Sequence, residues 1–548
     1  MKQLSQRRHT HGAGIRGRSR WWYAVGALLL LVALPLTACG GQGGTTESAD
    51  QSSASNGSGG SSTTQGGEKV LRIGIPADIV TLDPQMATDL YSGMAYANMF
   101  EAVLTRDLKG QPAAALATDW SSSDDGLTWT FTIRQGVKFH DGTDLTLDDV
   151  VYSIQRIMDP ANAAPRQAQF AGAIEAVQAE QPDKIVITLK EPNAAFLSLM
   201  AYAWVVPQHA ASQGKDSFAM HPIGTGPYRY VEWKPGDHAT LTRFDDYWGG
   251  RPPLDQVVLR PIPEASTRTV ELESGGIDLM PSVAPQDVQR LGENAKLMVM
   301  RTDGANFRFF VFNTSQPPFS DKRLRQAFGY AINKQQIVDT IYPGVGRVAA
   351  GPIPPMSFAY DPEFKGIQYD LDKAKQLLAE AGDPSPKIEL MTSSGDLNHR
   401  EAQLVQAMLG EAGFQATVRE LEWGTFLSNL KDGTFQVGRL GWTTTPEPND
   451  LLYNRYHTGD PSFNSSRYSN PQVDKLLEDG LHELDQQKRA EIYRQAQAII
   501  VDDAPEFHIF HESRVYAMDK KVQGFQPHYG GEVLLMVPSL GIKVDIAQ

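Results

Sequence analysis

Few residues of this chain have the type and spacing for covalent or metal chemistry. Cys39 is its single cysteine, which rules out an intramolecular disulfide, a cysteine-zinc site and catalysis by a second thiol. His140-Asp141-Gly142 sets an imidazole beside a carboxylate, as an acid/base couple would, but Asp-Gly is first of all a turn dipeptide. His508-Ile-Phe-His511 has ligand-like spacing, yet Phe507 to Val515 reads as a strand, on which positions 508 and 511 should face opposite sides. Gly224-Thr-Gly226 lacks the third glycine and the helix start of a dinucleotide loop, and reads as a turn joining domains. No Gly-x-Ser-x-Gly is present. A surface-anchored hydrolase is thus left without a catalytic constellation, and neither metal nor cofactor is expected.

Cys39 itself points elsewhere. Six basic residues and no acidic one precede it (Lys2, Arg7, Arg8, Arg16, Arg18, Arg20), then an apolar run from Trp21 to Ala38 interrupted by Pro35. Basic, then apolar, then small is the order of a secretory signal, too short and poorly flanked for a membrane span. Leu36-Thr37-Ala38-Cys39 is similar to the bacterial lipobox, whose cysteine is diacylated and becomes the first mature residue. Residues 1–38 are therefore expected to be a lipoprotein signal peptide and Cys39 the lipidation site. Residues 40–67 contain no large apolar side chain and are mostly Gly, Ser and Thr, so they cannot bury enough surface to fold. As a coil they would span roughly 30 Å, a disordered tether holding a body that starts near Glu68 off the outer face of the bacterial cell membrane, in the periplasm or at the cell surface.

Without its leader the chain carries 44 Lys+Arg (50 − 6) against 64 Asp+Glu, a net charge of −20. So acidic a body argues against nucleic acid as a partner and against adsorption on anionic lipid heads. The remaining length is enough for two to four domains.

Whatever site exists must be positioned by mixed α and β elements. Leu71, Ile73 and Ile75 alternate like a strand, as do Trp129, Phe131 and Ile133, and Ile185–Leu189 is a short buried run. Thr146-Leu-Asp-Asp149 predicts a capping box opening a helix with Val150, Ile154 and Ile157 on one face. A helix is predicted from Ser320 to Tyr342, broken in two. Asp370 should cap another that Gly382 ends, and a third should stop at Gly413. Strands over Ile388–Met391 and Phe414–Val418 would follow these last two.

Ala117–Arg134, Gly136–Thr143, Asp148–Tyr152, Thr81-Leu-Asp-Pro84, Gly224–Tyr228, Phe312-Asn-Thr314 and Pro318–Phe328 occur in collinear order. Together they resemble the family 5 extracellular solute-binding proteins of ABC importers, over essentially all of residues 68–545. The resemblance implies an α/β fold of two lobes around a hinged cleft, the periplasmic-binding-protein type II arrangement, with an extra α/β subdomain inserted in lobe one. Lobe one would be 68–303 plus 514–548, its insert about 105–222, and lobe two 304–513. It implies no enzyme, but a monomeric receptor that captures an oligopeptide-like ligand and delivers it to ABC permease subunits.

Within that resemblance, Glu422–Leu427 and Gly433–Trp442 are similar to the cleft-lining segment of oligopeptide receptors. Trp423 and Trp442 match two of its tryptophans, and Arg439 an arginine that can pair with a peptide carboxylate. The structural alternative makes both tryptophans core and Arg439 an internal ion-pair partner. Thr443, Thr445 and Asp450 complete the expected ligand contacts. Thr445 stands where peptide receptors place an ammonium-binding aspartate, and Thr392 where dipeptide receptors place an arginine. A hydroxyl does not compensate a desolvated ammonium. Ordinary free di- and tripeptides are therefore expected to bind poorly unless Glu447 or Asp450 supplies the charge. The alternative ligand is a non-peptide such as an oligosaccharide. For the anchor, Cys39→Ser should leave the body folded but uncleaved by the lipoprotein signal peptidase and unacylated; mass spectrometry of protein from its host checks both the wild type and the variant.

Overall fold

Two long strands set the architecture. Leu297–Phe312 is apolar at its second end and interrupted by Asp303-Gly-Ala-Asn306, and it forms one 16-residue strand. In the computed structural model, which describes residues 67–442, 444–459 and 463–547, this strand runs antiparallel to Glu506–Asp519. The leader, Cys39 and the tether up to residue 66 lie outside the described residues. Register breaks between Asp303 and Phe307. Before the break, 297–303 pair with 513–519, beside Leu279–Pro281 and Val70–Ile75. After it, 307–311 pair with 506–511, beside Val437–Trp442.

The result is one eleven-stranded sheet in the order 415–421, 387–393, 437–442, 297–312, 506–519, 279–281, 70–75, 256–261, 238–243, 228–234, with 346–348 added on 506–519. Two lobes are joined by two through-strands. The breaks drawn at 303/304 and 513/514 fall inside these strands, beside the register change.

Local signals positioned most elements. Thr146 accepts from the Asp149 amide (3.2 Å) and Asp149 from the Thr146 amide (3.0 Å), opening helix Leu147–Met158. That helix covers a separate four-stranded antiparallel sheet, 117–122, 128–133, 184–189 and 174–180, with Val150, Ile154 and Ile157 in one core with Phe131 and Ile187. Arg156 on the same helix forms a buried ion pair with Asp83 at 2.6 Å and donates to Gln85 at 2.7 Å, tying this sheet to the Thr81–Pro84 segment. Lys322–Ala331 and Lys334–Ile341 are the two halves of the broken helix, the second capped by Asn333. Asp370 caps Leu371–Glu380, and Asp396–Ala412 ends at Gly413 with φ 117°, leading into Gln415–Leu421.

The residues singled out for catalysis or metal binding are built into this frame. His140 Nε2 lies 3.0 Å from the Gly226 carbonyl oxygen, and its Nδ1 accepts from the Gly224 amide at 3.2 Å. Burial pulls its imidazole down to about 4. Asp141 turns away to Thr143 and to His209 (2.8 Å). A Cβ on Gly224 would stand 2.1 Å from the Met99 carbonyl oxygen, so only glycine fits that turn. The expectation that His508 and His511 face opposite sides is corrected: both rings lie against Phe307, at 5.2 and 6.2 Å. The register skips from Phe309–His508 to Arg308–Phe510, and this bulge at Ile509 cancels the alternation.

Phe328 sits at the centre of an aromatic cluster, with Phe312 at 5.0 Å, Phe310 at 5.3 Å, Phe414 at 6.2 Å and Phe507 at 6.3 Å. Phe328→Ala should cost about 3–5 kcal/mol, seen in urea unfolding as a lower midpoint at unchanged slope.

Candidate functional site

Strand Val437–Trp442 alternates faces, so Arg439 and Trp442, three positions apart, look in opposite directions. Arg439 is buried on the side of Tyr342 and Glu401. Its Nη2 donates to Glu401 Oε2 at 2.6 Å and to Tyr342 Oη at 2.7 Å, and its Nε donates to Glu401 at 3.1 Å. The expected contact of Arg439 with a ligand carboxylate is thereby corrected: a carboxylate of the chain itself, 0% exposed, already meets the guanidinium. Trp442, half-buried on the other face, lies 4.6 Å from the Arg455 guanidinium and 6.5 Å from Phe463. Trp423 opens helix Trp423–Asp432, 52% exposed and stacked on Phe426 at 5.6 Å. Thr392 is fully buried in strand Lys387–Ser393. Thr443 lies outside the described residues.

Past the strand, the chain turns into helix Pro448–Tyr456. Glu447 caps that helix through the Asn449 amide (3.1 Å) and pairs with Arg489 at 2.6 Å, so its charge is committed. The buried Thr445 hydroxyl donates to Asp450 Oδ2 at 2.8 Å. Asp450 is half-buried and has no salt-bridge partner among the described residues. Thr445 and Asp450 are therefore brought together, whereas Arg439 and Trp423 stand apart from them.

The opposite wall comes from the first lobe. The hairpin of strands Leu104–Arg106 and Pro112–Ala114 turns at Gly110, whose φ is 81°. A Cβ there would fall 2.2 Å from Pro446 Cγ and 3.2 Å from Tyr529. Here the two lobes touch. They meet again where the Ala194 amide donates to the Leu481 carbonyl at 2.9 Å.

Next to this contact is a cavity of about 120 Å³, walled by Tyr96, Tyr202, Trp204, Tyr247, Trp248 and Tyr529 together with Glu101 and Arg106. Glu101 accepts from Trp248 Nε1 (2.9 Å), Thr225 Oγ1 (2.8 Å) and Tyr247 Oη (3.0 Å). Burial pushes its carboxyl up to about 7 against those three donors. The Arg106 guanidinium lies 4.1 Å from the centre of the Tyr202 ring. Burial alone would lower its pKa, but Tyr202, Tyr529, Asp450 and Glu532 around it raise it above the ordinary value. This wall was missed from sequence. The legible signal was Arg106 two residues after Leu104 on a short strand, an inward position for a charged side chain.

Residues 111–463 match the model for bacterial extracellular solute-binding proteins, family 5. The chain is 30% identical over 465 residues to heme-binding protein A of Haemophilus influenzae, covering 79% of this chain and 84% of that one. It is 31% identical over 470 residues to the glutathione-binding protein GsiB of Salmonella paratyphi A, covering 83% and 91%. In structure it is similar to the periplasmic binding protein DppA of Helicobacter pylori in complex with the peptide STSA, with TM-score 0.74, 29% identity and coverage of 87% and 98%. These relatives are solute-binding receptors, not enzymes.

Removing one partner of a buried ion pair strands the other charge. Glu401→Ala and Arg439→Ala should each cost about 3–5 kcal/mol of stability, measured by chemical denaturation. An Arg439→Ala protein of wild-type stability would return this arginine to the ligand.

Proposed function

We propose, for a chain that belongs to the bacterial extracellular solute-binding proteins of family 5, that it captures a peptide-like solute between its lobes and hands it to ABC permease subunits. In this reading it is a monomeric lipoprotein, tethered by Cys39 to the outer face of the cell membrane. Its lobes are residues 68–303 plus 514–548, with an insert at about 105–222, and residues 304–513.

The observation that carries the reading is the aromatic cavity beside the Gly110–Pro446 contact. The rings that wall it all belong to the first lobe, and the Gly110–Pro446 contact brings the second lobe against its edge. A solute seated in it that also reaches the second lobe shifts the population toward the closed state. The names of the relatives, for heme, glutathione and peptide, supply the solute class.

Asp450 supplies the charge that Thr445 lacks. The hydroxyl of Thr445 fixes one carboxylate oxygen of Asp450 and leaves the other open to an ammonium group. Asp450→Asn should weaken a free-amino-terminal peptide by roughly 30-fold or more while leaving its N-acetylated form unchanged. Calorimetry with such matched pairs, and with an oligosaccharide panel, tests this. Equal binding of free and acetylated peptides by the wild type would remove Asp450 from the site, and binding of sugars alone would remove the peptide reading.

A further inference from the structure

Arg156, Arg439, Arg455 and Arg489 are deeply buried, and each has a carboxylate of the chain within salt-bridge distance. Buried Arg325 instead directs its guanidinium to the carbonyls of Phe319, Ser320, Asp503 and Ala504. Arg268 reaches those of Ile262 and Pro263. Arg106 differs from all of these. It is 9% exposed, has no ion-pair partner among the described residues, and donates through Nη2 only to the Ser198 carbonyl at 2.7 Å. Its Nε has no acceptor. It also lines the aromatic cavity.

A second guanidinium, that of Arg166, lies 3.4 Å from the centre of the same Tyr202 ring and donates to Gln169, not to a carboxylate. Two positive charges therefore converge on one aromatic side chain. Of the carboxylates nearby, Glu101 is held by its three donors and Glu532 by His528, and neither these nor Asp450 lies within salt-bridge distance of Arg106 among the described residues. A desolvated cation with opposite charge only at a distance is still poorly compensated, and a carboxylate fits a guanidinium in a planar, two-point contact.

We propose that this cavity is a carboxylate socket, in which Arg106 takes an acidic end group of the solute while Arg166 and Tyr202 position it. The protein thus selects solutes that present a carboxylate to the first lobe. This inference rests on the solute-binding reading above and deepens it. At about 120 Å³ the cavity is smaller than the roughly 300–1,000 Å³ that whole ligands occupy. It holds an end group, with the rest of the solute lying in the cleft toward Asp450. A solute with an ammonium at Asp450 and a carboxylate at Arg106 would touch both lobes, and its charges would favour closure.

The test uses the purified protein with glutathione, which carries two carboxylates, and with its diethyl ester, which carries none. Calorimetry on the wild type, Arg106→Gln and Arg106→Lys is expected to show the acid bound at least roughly tenfold more tightly than the ester by the wild type. That gap should close in Arg106→Gln and partly reopen in Arg106→Lys. Equal binding of acid and ester by the wild type overturns the socket and leaves the solute-binding reading standing. The wild-type comparison decides the matter even if Arg106→Gln fails to fold. If neither probe binds, native mass spectrometry identifies the solute that co-purifies. A carboxylic acid retained by the wild type and lost from Arg106→Lys or Arg106→Gln supports the socket. A peptide that carries no carboxylate overturns the socket alone, and a neutral sugar overturns both readings.

Discussion

The antiparallel pairing of Leu297–Phe312 with Glu506–Asp519 is the interaction on which the rest depends. One ladder serves both lobes, so each lobe is completed by segments far apart in sequence. Residues 70–75 join the central ladder through Leu279–Pro281, which lies on 516–518, and 437–442 join it because 307–312 continue past the register break. The register of the ladder shifts between Asp303 and Phe307, where a glycine also stands. Gly304 approaches the Glu512 carbonyl so closely that a Cβ would lie 2.3 Å from its oxygen. The same stretch therefore joins the lobes through a close backbone contact that only glycine permits.

Buried charge is the second organiser. The lobe-two side of the cleft contains Arg439 with Glu401, Arg455 with Glu506, and Arg489 with Glu447. Each pair links elements distant in sequence, and each is expensive to break because either ion alone would stay desolvated. Such pairs add little net stability over an apolar replacement, but they hold strand 437–442 and helix 448–456 in a fixed relation to the hinge strand 506–519. Against so rigid a wall, the small polar contact of Thr445 with Asp450 can keep its aim.

The sequence carried the elements further than it carried the site. Thr146, Asp370, Gly413 and the alternation of Leu71, Ile73 and Ile75 acted locally, through caps and periodicity, and the structure places elements there. His508 and His511 show the limit: period-two reasoning separated them, and a bulge that no local residue type announces put both on Phe307. The same rule, applied to Arg439 and Trp442, would have shown them on opposite faces and warned against a shared ligand. Glu401 and Tyr342, which neutralise Arg439, come from two separate helical regions 38 and 97 residues away. Such partners are tertiary, and no spacing in the sequence points to them.

Arg106 and Asp450 make the same point from the side of function. A family pattern assigns charges to positions, but a cleft requires only that a charge reach a point in space. With threonine at 445, the carboxylate five residues later occupies the neighbourhood through the first turn of helix 448–456, held by that threonine's own hydroxyl. On the facing lobe, the Arg106 guanidinium on a three-residue strand has no carboxylate within salt-bridge distance among the described residues, while Arg439, Arg455 and Arg489 of the second lobe each have one. In the proposed socket, a cation at position 106 instead of 439 would put the two ends of a zwitterionic solute on opposite lobes. Under that proposal a bound solute with opposite charges on opposite lobes would complete the electrostatics of the closed form, and closure would follow from the same desolvation cost that fixes the internal pairs.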